Sequence, residues 1–197
     1  MKYLKVLFFL ITYLSYSQNT KTNNLFFKIP LNESRDLIYK YCVESNLFIK
    51  EESKYEITKK GKKIKVFSGY LKKLNPELMK RKIDSVEIQL STGRTSNENE
   101  KESNELLILW SYYYTSDSIS AKNLYNEFKK QISEICKEKP YHFQNFVKEE
   151  NDLEERLVGC SEKWYFKNEE NLEMELKYEI VEDNKKYLIR LQYSRFE

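Results

Sequence analysis

Apolar residues recur at helical spacing close to the N-terminal end of the chain. Asn32 or Ser34 can cap a helix that ends near Asn46. The apolar residues of this helix share one face, and they are Leu37, Ile38, Tyr41 and Cys42. Just before it, residues 25–29 form a short apolar run that Pro30 ends. The pattern predicts a strand and then an amphipathic helix with one buried face.

A longer helical pattern lies in the second half of the chain. Asp117 or Ser116 can cap it, and Pro140 stops it. Its apolar stripe comprises Leu124, Tyr125, Phe128, Ile132, Ile135 and Cys136. This spacing predicts a second amphipathic helix whose stripe is buried.

Between the two helices, apolar and polar residues alternate with the period of two that strands require. Residues 55–57 and 64–67 flank a turn at 59–63 and predict a hairpin. The alternation at 86–90 predicts a half-buried strand. Residues 92–104 are mostly polar and charged, so we expect an exposed loop there.

The most apolar stretch after the N-terminal region is 106–114, where apolar residues occupy both faces of an extended chain. This predicts a central strand that is covered on both sides. Near the C-terminus, residues 172–180 alternate between apolar and charged side chains, and 187–193 repeat the pattern after a turn at 182–185. These two segments predict an antiparallel hairpin.

The order of these elements predicts the α+β class, with two amphipathic helices packed on a mainly antiparallel sheet. Two arrangements satisfy the pattern. In one, a single sheet carries both helices on one face. In the other, a helix-plus-meander unit is used twice, in halves 25–114 and 115–197. No residue-level repeat supports duplication, so both arrangements remain open.

Residues 1–17 have the parts of a secretory signal peptide. Lys2 and Lys5 give a basic start, 6–14 is apolar, and small residues precede the cleavage site. The apolar run is shorter than the ~20 residues of a membrane-spanning helix, and no second run of that kind follows. We therefore expect export to the periplasm or the medium, and a soluble mature domain, 18–197, without a transmembrane segment.

Removal of this segment changes the charge of the protein. The chain has 34 basic residues, which fall to 32 against 31 acidic residues when Lys2 and Lys5 are lost. A balance so near neutrality gives no case for nucleic acid as a partner. The 16 Tyr and 11 Phe, against 4 Gly and 3 Pro, favour packed strands over disorder.

Three cysteines remain in the mature chain, and an exported protein can keep disulfides. Cys42 lies on the apolar face of the first helix, where a free thiol behaves as a small hydrophobe. The prediction is therefore a disulfide between Cys136 and Cys160, which would contribute roughly 3 kcal/mol in the chain-entropy model. The alternative is that all three are reduced core residues.

Few residues point to chemistry. His142 is the only histidine, which excludes sites built from several imidazoles. The four glycines are scattered, so no phosphate-binding loop is predicted, and no Gly-x-Ser-x-Gly elbow occurs. The acidic run at 149–155 favours a solvated loop over an acid/base pair or a calcium site. We expect no catalytic residue, metal ligand or cofactor.

Basic residues cluster between positions 59 and 82, where ten of them occur. The cluster centres on the predicted hairpin, with Lys59, Lys60, Lys62, Lys63 and Lys65. Such a cluster can bind an anionic surface, such as lipid head groups or an acidic glycan. Alternatively, the lysines protect exposed edge strands from sheet-to-sheet aggregation.

Four short motifs spread over most of the mature chain have a common order. They are Ile29-Pro30-Leu31 at a helix start, Phe67-Ser68-Gly69 in a strand, Trp164 in a late strand, and Leu191-Gln192-Tyr193 in the last hairpin. In this order the chain resembles a group of short exported bacterial proteins of unknown function. The resemblance implies an exported α+β protein and carries no activity. The layout is also similar, as a fold only, to outer-membrane assembly accessory proteins and β-lactamase-inhibitor-like folds.

These observations favour an exported, non-enzymatic binding or adaptor protein of the cell envelope. Its expected partner is an envelope protein or an anionic envelope component, bound through an exposed sheet face or the basic hairpin. The alternative is an envelope hydrolase that uses a carboxylate pair. A deep cleft that holds two carboxylates would distinguish the hydrolase from the binding protein.

Overall fold

The computed structural model describes seven stretches of the chain, which are residues 20–50, 55–57, 63–95, 104–149, 155–166, 169–181 and 186–196. The predicted signal peptide lies outside them. The chain divides into two compact units, of which the first ends at Glu44 and the second begins at Ser45. Within the described stretches, no helix is both long enough and apolar enough to cross a membrane.

In the first unit, the predicted strand at 25–29 is wrong. Residues 20–25 are helical and a turn follows. Phe27 and Lys28 have φ angles of 56° and 63°, in the left-handed region that ends helices and that strands do not adopt. The amide of Lys28 donates to the carbonyl of Asn23 at 2.7 Å. The apolar run therefore forms the end of a helix and the turn after it, and does not form a strand.

The first predicted helix is confirmed as α1 (Arg35–Glu44). Its first turn closes when the amide of Ile38 donates to the carbonyl of Ser34 at 3.0 Å. Ile38 and Cys42 are buried as predicted, and burial raises the pKa of the Cys42 thiol to about 12. Leu37 is instead 51% exposed, because it is one residue, or about 100° of helix rotation, away from the stripe of Ile38 and Cys42.

The second unit is built on one antiparallel sheet. Its described strands are β1 (Phe48–Lys50), β2 (Tyr55–Ile57), β3 (Lys63–Leu71), β4 (Ser85–Thr95), β5 (Asn104–Thr115), β6 (His142–Glu149), β7 (Glu155–Phe166), β8 (Glu169–Val181) and β9 (Lys186–Phe196). The strand order is β1-β3-β4-β5-β9-β8-β7-β6, and β2 also pairs with β3. Because β5 pairs with both β4 and β9, the sheet is continuous through the residue-114 boundary that separates the two predicted halves.

Two helices interrupt this sheet in sequence. A short α2 (Pro76–Lys80) connects β3 to β4 and is capped by Asn75, whose side chain accepts from the Leu78 amide at 2.8 Å. A long α3 (Ser118–Cys136) connects β5 to β6. The structure therefore confirms the α+β class in its coarse form, with the sheet dominant. The packing of both predicted helices on one face stays a prediction.

Several predicted strands are confirmed. The first hairpin pairs β2 with β3, with Tyr55 opposite Lys65, and its turn lies outside the described residues. The C-terminal hairpin pairs β8 with β9, with Leu176 opposite Leu191. The predicted loop at 92–104 is wrong at its two ends, since β4 continues to Thr95 and β5 begins at Asn104, and residues 96–103 lie outside the described part of the chain.

The helix α3 packs on β5, β9, β8 and β7 from one side of the sheet, and we call this side of the sheet the covered face. Asp117 caps the helix by accepting from the Ser120 amide at 2.7 Å, and Lys137 ends it with a left-handed φ of 57°. All six residues of the predicted stripe are buried. Phe128 packs on Tyr113 of β5 with ring centroids 5.0 Å apart. Further buried side chains on this face are Leu107, Leu109, Trp164, Met174, Leu176, Ile189 and Leu191.

The predicted disulfide between Cys136 and Cys160 is not present in this structure, where Cys42, Cys136 and Cys160 are all free thiols. Cys160 of β7 interacts with the hydroxyl of Tyr125. Tyr125 lies eleven residues before Cys136 on α3, which is about 16 Å along the helix axis. Burial raises the pKa of the Cys136 thiol to about 12, so this thiol stays protonated near neutral pH.

A candidate ligand-binding face of the sheet

The side chains that point away from the covered face form a second surface, which we call the polar face. Residues directly opposite each other in paired strands project to the same side of a sheet. The register therefore aligns polar-face side chains in rows that cross several strands. One row comprises Tyr70, Glu87, Tyr112, Arg190 and Lys177. The next row comprises Ser68, Gln89, Trp110, Gln192, Glu175 and Lys163.

The centre of the polar face is an aromatic strip on β5. Trp110, Tyr112 and Tyr114 alternate along this strand and are half-buried, whereas Leu109 and Tyr113 point to the covered face and are buried. The prediction that this strand is covered on both sides is therefore confirmed for one face only. On the other side, the aromatic strip lies among hydrogen-bonding side chains.

Glu87 organises one side of the aromatic strip. It is 7% exposed and accepts hydrogen bonds from Ser68 Oγ at 3.4 Å, from the amide nitrogen of Gln89, and from the Tyr114 hydroxyl at 3.3 Å. The Tyr112 hydroxyl donates to Gln89 Oε1 at 3.4 Å. Burial, followed by the Glu87 carboxylate, raises the pKa of Tyr114. Its hydroxyl therefore stays protonated and can donate a hydrogen bond at any physiological pH.

Trp110 is held in place from the other side. Its Nε1 donates to Gln192 Oε1 at 2.8 Å, and Gln192 Nε2 donates to Ser194 Oγ at 2.9 Å. This chain of hydrogen bonds anchors the edge of the indole ring to β9. The ring is thus ordered before any ligand arrives, which reduces the entropy lost on binding.

The charges of the neighbouring strands are paired. Arg190 Nη2 lies 3.2 Å from Glu175 Oε2, and the Ser161 hydroxyl donates to the same carboxylate at 2.6 Å. Lys177 forms an ion pair with Glu179 and also lies 4.5 Å from the centre of the Phe146 ring. A cation over an aromatic face is attracted to it. These contacts neutralise the polar face locally.

A second aromatic group lies near the β6 edge of the same face. Tyr141 and Tyr165 stack with ring centroids 4.2 Å apart and are 49% and 44% exposed. The Tyr141 hydroxyl donates to Glu173, which also lies 3.6 Å from Lys163 Nζ. Burial, followed by the hydrogen bond to Glu173, raises the pKa of Tyr141. The exposed outer surfaces of these rings give the polar face a second flat platform.

The predicted basic site is only partly visible. Lys59, Lys60 and Lys62 lie outside the described residues, and Lys63 is seen only as the first residue of β3. Lys65 is half-buried on β3, opposite Thr92. Anion binding by these five lysines stays a prediction.

Farther along the same basic run, acidic partners offset the charge. Arg81 pairs with Glu127, and Lys82 Nζ lies 2.8 Å from Asp117. Both pairs connect the segment before β4 to α3. These two cations therefore connect the segment before β4 to α3, and they leave little unpaired positive charge to bind an anionic surface.

Sequence reasoning missed a buried carboxylate on the covered face. Glu162 of β7 is 2% exposed, and its Oε1 accepts from the Tyr125 hydroxyl at 2.7 Å and from Lys129 Nζ at 2.8 Å. Burial, followed by the bonds to Cys160 and Glu162, raises the pKa of Tyr125. A charged residue at an inward position breaks the alternation that identifies strands, which explains why β7 was not predicted from its pattern.

Other candidate chemistry is sparse in the part of the chain that the structure describes. His142 is exposed on β6, next to Tyr141. Within the same part, no three residues among His, Cys, Asp and Glu are arranged to hold a metal ion. The acidic run at 150–154 lies outside the described residues.

Comparison of the chain with protein-family models, curated proteins and solved structures found no match. The resemblance to short exported bacterial proteins therefore stays a prediction. Among the described residues, the polar face carries the largest group of aromatic and hydrogen-bonding side chains that a ligand could contact.

Proposed function

We propose that this protein is an exported, non-enzymatic binding protein of the cell envelope and that the polar face is its binding surface. The observation that carries the proposal is the row of Tyr112 and Arg190 beside Trp110, at the middle of the sheet. Trp, Tyr and Arg are the residue types that dominate binding energy in protein interfaces, and they concentrate near the centre of the contact.

The local order of these side chains supports the proposal. Trp110 is anchored by Gln192, and Arg190 is anchored by Glu175. Flexible surface side chains lose conformational freedom on binding, whereas anchored ones lose little. The polar face is in this sense preorganised, as a binding surface needs to be.

The arrangement of carboxylates favours binding over hydrolysis. Glu87 on β4 and Glu175 on β8 are three strand spacings apart, which is about 14 Å, beyond the ~5–10 Å that separates the carboxylates of glycosidases. Glu173 and Glu175 are closer, but Glu173 bonds Tyr141 and Lys163, and Glu175 bonds Ser161 and Arg190. These contacts are typical of structural carboxylates that order their neighbours.

Sedimentation with envelope fragments tests the proposal. The protein is mixed with envelope fragments of the source organism, and the bound fraction is measured for three forms. We expect the wild type to sediment, and the double variant Trp110→Ala and Tyr112→Ala to bind at least about tenfold more weakly. The matched control is Ile119→Ala, on the exposed side of α3, where the side chain is 69% exposed. Equal binding by all three forms, or no binding by the wild type, would overturn the proposal.

Export is tested separately by mass spectrometry of the protein recovered from the periplasm or the medium. We expect a mature chain that begins at Gln18. Recovery of the uncleaved chain from the cytoplasm alone would contradict export.

A further inference from the structure

Resting on the proposed function, we infer that the ligand of the polar face is a neutral glycan, bound across the aromatic strip of β5. Sugars have an apolar face of C–H groups and a rim of hydroxyls that both donate and accept. A matching site needs flat aromatic rings flanked by planar polar groups. The polar face has this composition at its centre.

Two of the aromatic residues have hydrogen-bonding side chains directly opposite on both neighbouring strands. Tyr112 lies between Glu87 of β4 and Arg190 of β9. Trp110 lies between Gln89 and Gln192 on the same two strands. Carboxylate, guanidinium and amide groups together supply donors and acceptors. A sugar ring stacked on either aromatic residue would therefore have polar partners at both of its edges.

The hydrogen bonds around the strip differ in strength. The Tyr112 and Tyr114 hydroxyls contact Gln89 and Glu87 at 3.4 Å and 3.3 Å, whereas Trp110 contacts Gln192 at 2.8 Å. Oxygen to oxygen contacts beyond about 3.0 Å are longer than usual. The tyrosine hydroxyls can thus exchange these weak contacts for sugar hydroxyls at little cost, while the indole ring stays fixed.

The charge balance favours a neutral ligand over an anionic one. The described polar face contains four acidic residues, which are Glu87, Glu173, Glu175 and Glu179, and four basic residues, which are Lys163, Lys177, Lys186 and Arg190. Lys163, Lys177 and Arg190 each already lie beside a carboxylate. A polyanion would have to displace these pairs, because anion recognition depends on an excess of positive charge.

The geometry also disfavours an extended peptide. Peptides that bind sheets add as a strand at an edge, where main-chain groups are free to pair. The aromatic strip lies on β5, which is hydrogen-bonded to β4 and β9. A ligand on this face therefore contacts side chains only. Such contacts suit a sugar, whereas an added peptide strand needs free main-chain groups.

The two tryptophans of the chain make a direct test possible. Trp110 is half-buried on the polar face, and Trp164 is fully buried on the covered face. In Trp164→Phe, fluorescence reports on Trp110 alone. Because the Trp164 Nε1 has no hydrogen-bond partner in the described chain, the phenylalanine removes no hydrogen bond. The probes are chitotetraose, cellotetraose and maltotetraose, with polygalacturonate as the anionic probe.

We expect a saturable change in Trp110 emission with at least one neutral oligosaccharide, and none in Trp110→Phe, which retains Trp164. Tyr112→Ala should weaken the affinity about tenfold and Tyr112→Phe, which keeps the ring, about threefold. No change with any of the three neutral probes would overturn the inference. A response to polygalacturonate alone would overturn it in favour of an anionic glycan.

Failure of this inference is distinguishable from failure of the proposed function. If envelope sedimentation depends on Trp110 and Tyr112 but is abolished by protease treatment of the envelope and not by glycosidase treatment, the ligand is a protein. The inference of a glycan ligand is then wrong, and the proposal that the polar face is the binding surface still holds. If sedimentation is unaffected by both substitutions, the proposed function itself is wrong.

Discussion

The covered face and the polar face belong to the same strands but differ in the burial and the hydrogen bonding of their side chains. On β5, Leu109 and Tyr113 point to the covered face and are buried, while Trp110 and Tyr112 point the other way and are half-buried. The first pair stabilises the fold by removing apolar surface from water. The second pair contributes to an ordered surface with its hydrogen bonds in place. Alternation along one strand thus separates the buried side chains from the proposed binding surface, and a substitution on one face should have little effect on the other.

The largest expected effect is on the covered face. Phe128→Ala should lower the free energy of unfolding by about 3–5 kcal/mol, because it leaves a cavity against Tyr113. The comparison variant Tyr112→Ala, on the polar face, should cost about 1 kcal/mol. Urea denaturation of the two variants measures the difference. Equal losses of stability would show that the two faces contribute alike to the fold.

Removal of one carboxylate from each face should give a second difference in stability between the covered face and the polar face. Glu162→Ala should destabilise the protein by about 2 kcal/mol, because the Tyr125 hydroxyl loses a charged partner inside the core. Glu175→Ala removes the corresponding partner of Arg190 from the polar face and should cost about 1 kcal/mol or less. The same urea titrations give both values, and a reversed order would contradict the assignment of the two faces.

A smaller effect concerns the start of α3, the helix that packs on the covered face. The hydrogen bond from Lys82, followed by that from Ser120, lowers the pKa of Asp117 to about 2 from 3.8. A carboxyl whose pKa is lower in the folded state stabilises the fold at pH values above its pKa in the unfolded chain. This stabilisation is lost as the pH falls through its pKa in the folded chain.

The corresponding variant is Asp117→Asn, which keeps a capping oxygen and removes the charge. The wild type should therefore melt at a higher temperature than the variant at pH 6, and the difference should shrink between pH 4 and pH 2. Thermal denaturation across this range gives the comparison. A difference that grows on acidification would have the wrong sign.

The smallest expected effect is none at all. Because the three cysteines are free thiols, a reductant should leave the unfolding midpoint unchanged, and alkylation in denaturant without reductant should modify all three. A loss of roughly 3 kcal/mol on reduction, with a linked peptide of Cys136 and Cys160, would restore the disulfide prediction.

Local patterns along the sequence were sufficient to predict part of the covered face. The stripe of α3 and its cap at Asp117 depend on residues within one helix, so spacing alone identified them. The alternation in β8 and β9 was similarly sufficient, since one side of each strand is apolar. Leu25 to Ile29 misled the prediction because the apolar run continues through a helix end, where backbone conformation and not hydrophobicity decides the structure.

The polar face could not be predicted because it depends on strand order. Alternation predicts that Glu87 and Arg190 point outward but gives no polar side to the strand of Tyr112, and the three residues are 25 and 78 positions apart in the sequence. Only the register places them side by side. The basic hairpin is predicted as a site because its charges are contiguous in sequence. Contiguity in sequence is a weak guide to a site that several strands assemble.

The central claim is that the polar face contacts the envelope. Photo-crosslinking tests it most directly, with benzoylphenylalanine incorporated in place of Tyr112 in one sample and in place of Ile119 on α3 in the other. Neither replacement removes a fully buried side chain, and the two samples differ in the surface that carries the probe. The account predicts covalent adducts with envelope material from position 112 and none from position 119. Adducts from position 119 alone would contradict it.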